Sequence, residues 1–259
     1  MKKEDEKTLF SAELTATELF VLAAFLGYDA VVGVSGKPFG NRRKHPEKII
    51  DSTKSALEKR GLIRYELDGT LNISKYLKKG ISAICNAENI VTVCSNAENG
   101  KRQEKYIFKR GNWFVVLQKI GLSRLYSLCV GTDCEFFDVF GVNKAEKDST
   151  VENCFFEIPF DEVKRARESS HGFENSSLTD VFEKYCKSNA AKQLSNALNS
   201  SGKYLILKLF DRCENEYKID FSGIYILADT DFEIYLKNEN LCVKSKNIVS
   251  VCNDILAAL

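Results

Sequence analysis

The run "LTATELFVLAAFLG" opens the ordered pattern of the chain, and nearly every residue from Leu19 to Leu26 in it is apolar. A helix apolar all round is buried on most sides, so this segment reads as a central element. Thr15 and Glu18 have the spacing of a capping box, and Leu14 and Leu19 that of a hydrophobic staple. Gly27 stands where a helix takes a left-handed closing residue. The segment is far too short to cross a bilayer. "AVVGVSG" follows as a short strand or a turn-rich link. A period of 3.6 then governs residues 46–61, with Pro46 at the first helical position and Gly61 at the end. Ile49, Ile50, Thr53, Ala56 and Leu57 fall on one side. Lys48, Asp51, Lys54, Ser55, Glu58 and Lys59 fall on the other.

"LIRYELDGTLNI" reads as two short strands turning at Asp68-Gly69. "NISKYLKKGISAI" reads as a helix with Ile73, Tyr76, Leu77, Ile81 and Ile84 inward, weakened by Gly80. From Ile90 the period changes to two. "IVTVCSN", "RQEKYIFKR", "NWFVVLQKI" and "LSRLYSLCV" are four strands with glycines in or beside their turns, which makes antiparallel neighbours of them. "TDCEFFDVFG" reads as a short helix capped by Thr132, and "VNKAEKDSTVENC" as a polar loop.

Residues 159–200 read as helical: "IPFDEVKRARE", a flexible link "SSHGFENSS", then one longer helix, "LTDVFEKYCKSNAAKQLSNALNS", whose apolar spacing loosens at Ser188–Ala191. The last stretch returns to strands, "KYLILKLFD", "EYKIDFSG", "IYILAD" and "FEIYLKN", and closes with the helix "KNIVSVCNDILAAL". The order strand, aromatic strand, strand, helix thus occurs twice, with Tyr106 matching Tyr217 and Trp113 matching Tyr225. Any two meanders ending in a helix share that order, so the match stands as a pattern and not yet as homology.

Composition narrows the function classes. The chain has 259 residues, 44% of them hydrophobic, with 17 Phe and 10 Tyr, enough for a sizeable core. Its 37 basic and 36 acidic side chains leave a net charge of +1, so no global field draws it to nucleic acid. The start, "MKKEDEK", lacks the apolar stretch of a signal peptide. The nine cysteines include no CxxC pair, and several sit on apolar runs, which fits reduced, buried, cytosolic thiols. With only His45 and His171 beside them, no metal set is spaced for binding.

Catalytic patterns are equally sparse. "GVSGKPFG" lacks the spacing of a phosphate loop, and Pro38 removes an amide that such a cradle would use. There is no nucleophile elbow, and neither histidine has a partner fixed by spacing. Asp229 and Asp231 read as a solvated turn. No enzyme activity and no cofactor are expected. A DNA-binding reading has more support. A helix over 47–60 followed by a hairpin over 62–73 is the order of a winged helix, with Lys48, Lys54, Lys59 and Arg60 available to phosphates. Asp51, Glu47 and Glu58 share that surface, and a solvated helix face accounts for the charges as well.

The C-terminal strands suggest a third job. In "KYLILKLFD", Leu205, Leu207 and Leu209 face one way, and Tyr204, Ile206, Lys208 and Phe210 the other. In "FEIYLK", Phe232, Ile234 and Leu236 oppose Glu233, Tyr235 and Lys237. Such a sheet packs helices on both faces or offers one face to a partner. The plain alternative is that residues 159–200 cover it.

The succession "LTATELFVLAAFLG…AVVGV", "ALEKRGLI" and "DGTLNISKYLKKGISAICNAENIVTV" resembles the EspG-like proteins of type VII secretion loci, and more closely their divergent relatives in Gram-positive Firmicutes. The likeness continues through "RQEKYIFKR", "GNWFVVLQK", "LSRLYSL" and "TDCEFFDVF", and again through "SGIYILADTDFEIYL" with the last helix. It covers most of the chain by order of elements more than by identity. The resemblance implies a non-catalytic cytoplasmic chaperone. Its partner would be a helical secreted protein, or the helical targeting region of a toxin, from the same locus. No small-molecule substrate and no stable membrane insertion are implied, and nucleic acid is disfavoured.

The expected architecture is α/β (α+β): a mainly antiparallel sheet of two pseudo-repeated meander-plus-helix units, with the N-terminal and middle helices packed on it. Residues 1–150 would hold the N-terminal helices and the first sheet repeat, 151–202 the helical middle, and 203–259 the second repeat and closing helix, all fused in one globule. Tyr204, Phe210, Tyr225 and Tyr235 are the expected partner-binding anchors.

Overall fold

The computed structural model describes residues 8–34, 46–96, 102–110, 113–121, 124–132, 155–169, 176–198, 203–214, 216–227 and 231–259. Among them the fold is mixed, with a mainly antiparallel sheet of ten strands, a separate hairpin and seven helices, as the hydrophobic pattern predicts. The expected helix after Thr132, the link "SSHGFENSS" up to Asn175, His45, His171, Lys37 and Asp229 lie outside the described residues.

The chain divides into two compact units, each built from separate stretches. The first takes residues 1–91, 105–139 and 211–217, and the second takes the remainder. In the first unit β1 (Thr8–Thr15) leads into α1 (Ala16–Phe25). After α2 (Pro46–Lys59) come β2 (Ile63–Tyr65), β3 (Leu71–Ile73), α3 (Lys75–Cys85), β4 (Asn89–Asn96), β5 (Arg102–Arg110), β6 (Trp113–Lys119) and β7 (Leu125–Thr132). The sheet runs β1-β7-β6-β5, antiparallel at every step.

The capping box forms as expected: the Glu18 amide donates to Thr15 Oγ1 at 3.2 Å, and the Thr15 amide to Glu18 Oε2 at 2.7 Å. Leu14 and Leu19 are both fully buried, and Gly27 takes φ +80°. What the pattern did not disclose is β1. Residues before the cap pair with β7 from Thr8↔Gly131 to Thr15↔Leu125. The segment "AVVGV" forms no strand over 30–34. The helix α2 packs shallowly, with only Leu57 fully buried on its apolar side and Ala56 exposed.

The hairpin of β2 and β3 turns where Asp68-Gly69 predicts, with Asp68 Oδ1 accepting from the Thr70 amide at 2.9 Å and Gly69 at φ +82°. In α3, Leu77, Ile81 and Ile84 are fully buried. Gly80 has a positive role that its low helix propensity hides. A Cβ there would stand 3.1 Å from Val130 Cγ2, so the missing side chain lets α3 lie close on β7.

The second unit contains β8 (Phe155–Pro159), α4 (Phe160–Ser169), α5 (Ser176–Glu183) and α6 (Ser188–Leu198). It continues with β9 (Lys203–Cys213), β10 (Glu216–Leu227), β11 (Phe232–Lys237), β12 (Asn240–Ser245) and α7 (Ile248–Ala258). Within it the order is β10-β11-β12-β8, again antiparallel where paired. The strands β4, β5, β9 and β10 each give residues to both units.

Four local expectations need correction here. The middle region does not begin as a helix, because Phe155–Pro159 is the strand β8. The single long helix is two, α5 and α6, broken at Lys184–Lys187, where the Tyr185 and Cys186 amides both donate to the Phe182 carbonyl. "EYKIDFSG" and "IYILAD" are one strand, β10, running straight through Gly223. "NLCVKS" is the strand β12, joined to β11 by a turn in which Asn238 and Glu239 have φ +48° and +65°. The two-residue left-handed turn matches the twist of the strands it joins. One consequence reaches the repeat. Tyr217 and Tyr225 share one strand, whereas Tyr106 and Trp113 sit on neighbouring strands, so that residue-by-residue match fails while the meander order stands.

The core of the second unit lies between its sheet and the middle helices. Phe156, Ile158, Ile226, Phe232, Ile234, Leu241 and Val243 pack against Val163, Ala166, Leu178, Val181, Phe182, Ala191 and Leu194. Glu162 ties α4 to the end of α5, accepting from Lys184 Nζ at 2.7 Å and Tyr185 Oη at 3.2 Å.

Candidate partner-binding surface

Pairing register decides which side chains share a face. Ile226 opposes Phe232, Phe232 opposes Ser245, Ile234 opposes Val243, and Val243 opposes Phe156. This is the face sealed by α4, α5 and α6. On the other face Tyr225 opposes Glu233, Glu233 opposes Lys244, and Lys244 opposes Phe155. One step along, Tyr235, Cys242 and Glu157 form a row. The middle helices therefore cover the Phe232 and Ile234 side and leave the Tyr235 side to other neighbours.

The four expected anchors have different fates. Tyr225 is 1% exposed, its ring lies on Gly223, and its hydroxyl donates to Glu233 Oε1 at 3.3 Å. Burial first, then the negative charge of Glu233, pushes this phenol far up, with Cys252 and Asp254 of α7 among its further neighbours. It offers a partner no surface. That is a correction: the aromatic strand carries a core residue where an anchor was expected, because α7 lies nearby. Tyr235 is 39% exposed. Desolvation raises its phenol, helped by Cys242 and Glu233. Tyr204 and Phe210 are half-buried on the side of β9 opposite the buried Leu205, Leu207 and Leu209, as the alternation predicts. Six residues separate them on one strand, roughly 20 Å, so they cannot join one anchor cluster.

Other exposed apolar residues escaped the sequence reading. Phe155 is 59% exposed, Leu236 61%, Ile224 44% and Phe160 42%. Phe155 lies on the Tyr235 side, two strands away and about 12 Å off by strand spacing. Leu236 and Ile224 alternate with Tyr235 and Tyr225 and so belong to the opposite face, while Glu157, Lys237 and Lys244 are exposed on the Tyr235 side. Apolar side chains edged by charge are the anatomy of a protein-binding surface. Recognising β8 from the alternation of Phe156 and Ile158 against Phe155 and Glu157 would have found Phe155.

Set against solved structures, the chain is similar to the Mycobacterium tuberculosis type VII secretion system chaperone EspG5, solved in complex with a PE25-PPE41 dimer. The TM-score is 0.58 at 11% identity, over 94% of this chain and 93% of that one. The chain has an EspG-like fold. No protein-family model and no curated protein matches it.

Within this EspG-like fold the rival chemistries find little footing. Among the described residues no group of three or more His, Cys, Asp or Glu could hold a metal ion. Cys85 and Cys252 are driven up to about 12 by burial, which leaves them poor nucleophiles. Among the described residues Cys85, Cys94, Cys129, Cys213, Cys242 and Cys252 form no disulfide. Arg60 is engaged within the protein, pairing with Glu18 Oε1 at 2.9 Å and donating to the Glu13 carbonyl. Lys54 lies 3.8 Å from Asp51 and 5.6 Å over the Phe25 ring. Two of the four cations that a DNA reader would need are thus turned to other work. Among the described residues no helix is long and apolar enough to cross a membrane.

Proposed function

We propose that this protein is a non-catalytic cytoplasmic chaperone or adaptor. It binds a helical protein destined for type VII secretion, encoded at the same locus, and keeps it export-competent. The observation that carries the reading is the likeness to EspG5 along nearly the whole of both chains, since EspG5 is seen holding a PE25-PPE41 dimer. The exposed apolar residues of the second unit supply what such a role requires. Tyr235 and Phe155 anchor the partner, and Glu157, Lys237 and Lys244 at the rim select it. Tyr204 and Phe210 remain secondary contacts, and Tyr225 supports the surface from within.

A tagged pull-down from the native cytosol, treated with nuclease and read by mass spectrometry, tests the proposal. A small helical secretion substrate should co-purify at one to one and survive nuclease. Recovery of a defined DNA fragment with steep salt dependence, and no protein partner, would overturn it in favour of a winged-helix regulator.

A further inference from the structure

The first unit contains a pocket that the chaperone reading does not use. Its volume is about 640 Å³, and it lies between α3 and the strands β6 and β7. The close approach permitted by Gly80 sets the helix against these strands. Ile73, Ala83, Val115 and Val130 make an apolar floor, each 9% exposed or less. Lys75, Lys78, Lys79 and Ser82 line one side. Their spacing of three, four and seven residues puts them on a single stripe of α3. Arg110 and Trp113, paired directly across the β5–β6 hairpin, line the other side. Lys79 Nζ stands 3.6 Å over the Trp113 ring, and Tyr76 packs 5.8 Å from it.

No carboxylate is among the described lining residues. Lys75, Lys78, Lys79 and Arg110 make no ion pair among the described residues. Four cationic residues thus line a recess with an apolar floor in a chain whose net charge is only +1. Such an arrangement repels basic ligands and favours acidic ones.

We propose that this pocket binds an extended acidic peptide segment in which carboxylates alternate with apolar side chains. The spacing supports that choice. Lys75 and Lys79 are separated by a rise of about 6 Å along the helix. Alternate residues of an extended peptide are about 6.6 Å apart. Carboxylates at such positions meet the lysines and Arg110, while the residue between them turns to the floor and the Trp113 ring. A free phosphate would leave the floor unused, and a flat lipid surface cannot enter a concavity. The inference is independent of whether the second unit holds an export substrate.

Trp113 is the only tryptophan in the sequence, so its emission reports on this pocket alone. The full chain is titrated with a capped Glu-Leu-Glu-Leu-Glu peptide, followed by tryptophan fluorescence and by calorimetry. Capped Gln-Leu-Gln-Leu-Gln, capped Lys-Leu-Lys-Leu-Lys and ATP serve as comparisons. The acidic peptide should shift the emission saturably, weaken with added salt, and bind at least about tenfold better than the neutral peptide. Lys78→Glu with Arg110→Glu should lower its affinity at least about tenfold, with an unchanged melting curve, since both side chains are exposed. Absence of saturable binding by both methods, or equal binding of the basic peptide, overturns the proposal. Tighter binding of ATP than of the acidic peptide overturns it too and makes the pocket a nucleotide site.

Discussion

The two units use similar meanders to opposite ends. In the first, β5, β6 and β7 pack under α3 so closely that a Cβ at Gly80 would crowd Val130, and the surface feature left over is a recess lined by cationic residues. In the second, β10, β11 and β12 carry three helices on one face, and apolar side chains remain in contact with solvent. Of the nine large hydrophobic residues that stand exposed among the described residues, only Tyr65 and Leu67 belong to the first unit. The same meander order therefore carries a charged recess in one unit and exposed apolar side chains in the other, and the difference lies in side chains rather than in strand order.

The strongest way to break the comparison is to empty one core at a time. Phe182 and Phe108 are both fully buried, one in each unit. Phe182→Ala and Phe108→Ala should each cost about 3–5 kcal/mol in denaturant unfolding. If the units are independent, each variant moves one of two transitions. If they unfold together, both variants move a single transition, and the division into units has no thermodynamic meaning.

A smaller loss is expected at the entry to α1. Glu18 caps the Thr15 amide and pairs with Arg60 while only 6% exposed. Glu18→Ala should cost about 1–2 kcal/mol, measured by chemical denaturation. A loss below about 0.3 kcal/mol would show that the cap and ion pair merely fill space.

Tyr235 sharpens the contrast between surface and core. Tyr235→Ala, alone or with Phe155→Ala, should change stability by less than about 0.5 kcal/mol. Partner affinity should fall about tenfold or more. A large stability loss with unchanged affinity would make Tyr235 part of the core, like Tyr225.

The smallest effect is electrostatic. Hydrogen bonding from Lys184, then from Tyr185, holds the Glu162 carboxyl below its ordinary 4.5, and Glu162 raises Lys184 above its ordinary 10.5. A depressed carboxylate contributes stability above its unfolded value and loses it as pH falls through the folded one. A raised lysine contributes below its unfolded value and loses it as pH rises through the folded one. The Tm difference between the natural protein and Glu162→Gln should therefore be greatest between 4.5 and 10.5, and vanish at acid pH. It should be small and weaken with salt, because the Lys184 side chain is largely in water. A difference that persists in acid would trace to shape, not charge.

Local signals made parts of this fold legible. The capping box, the Asp68-Gly69 turn and the strands from Asn89 to Thr132 each announce themselves within a few residues. What stayed hidden depends on distant partners. The strand β1 shows Phe10, Ala12 and Leu14 on one side, but it runs into a helix cap and needs β7 to be a strand at all. In β8 the exposed Phe155 breaks the expected polar alternation, and Pro159 reads as a helix start. Ser222-Gly223 looks like a turn, yet the Tyr225 ring covers Gly223 and the strand continues. The exposure of Tyr235 was legible and the burial of Tyr225 was not, because no local pattern places Cys252 and Asp254 of α7 near Tyr225. The pocket was invisible as a site, since its lysines and Trp113 lie more than thirty residues apart.

The scattered make-up of the first unit bears on how the protein is made. Its boundary is completed by residues 211–217, where the Arg212 amide donates to the Glu88 carbonyl and the Tyr217 hydroxyl to the Ala87 carbonyl. A ribosome must therefore finish most of the chain before those carbonyls find their partners. Until then the growing polypeptide exposes the side of β4 that β9 will occupy. Contacts so distant in sequence fold slowly and late. The first unit thus closes only after residues 211–217, far along the chain from its other parts, have been made.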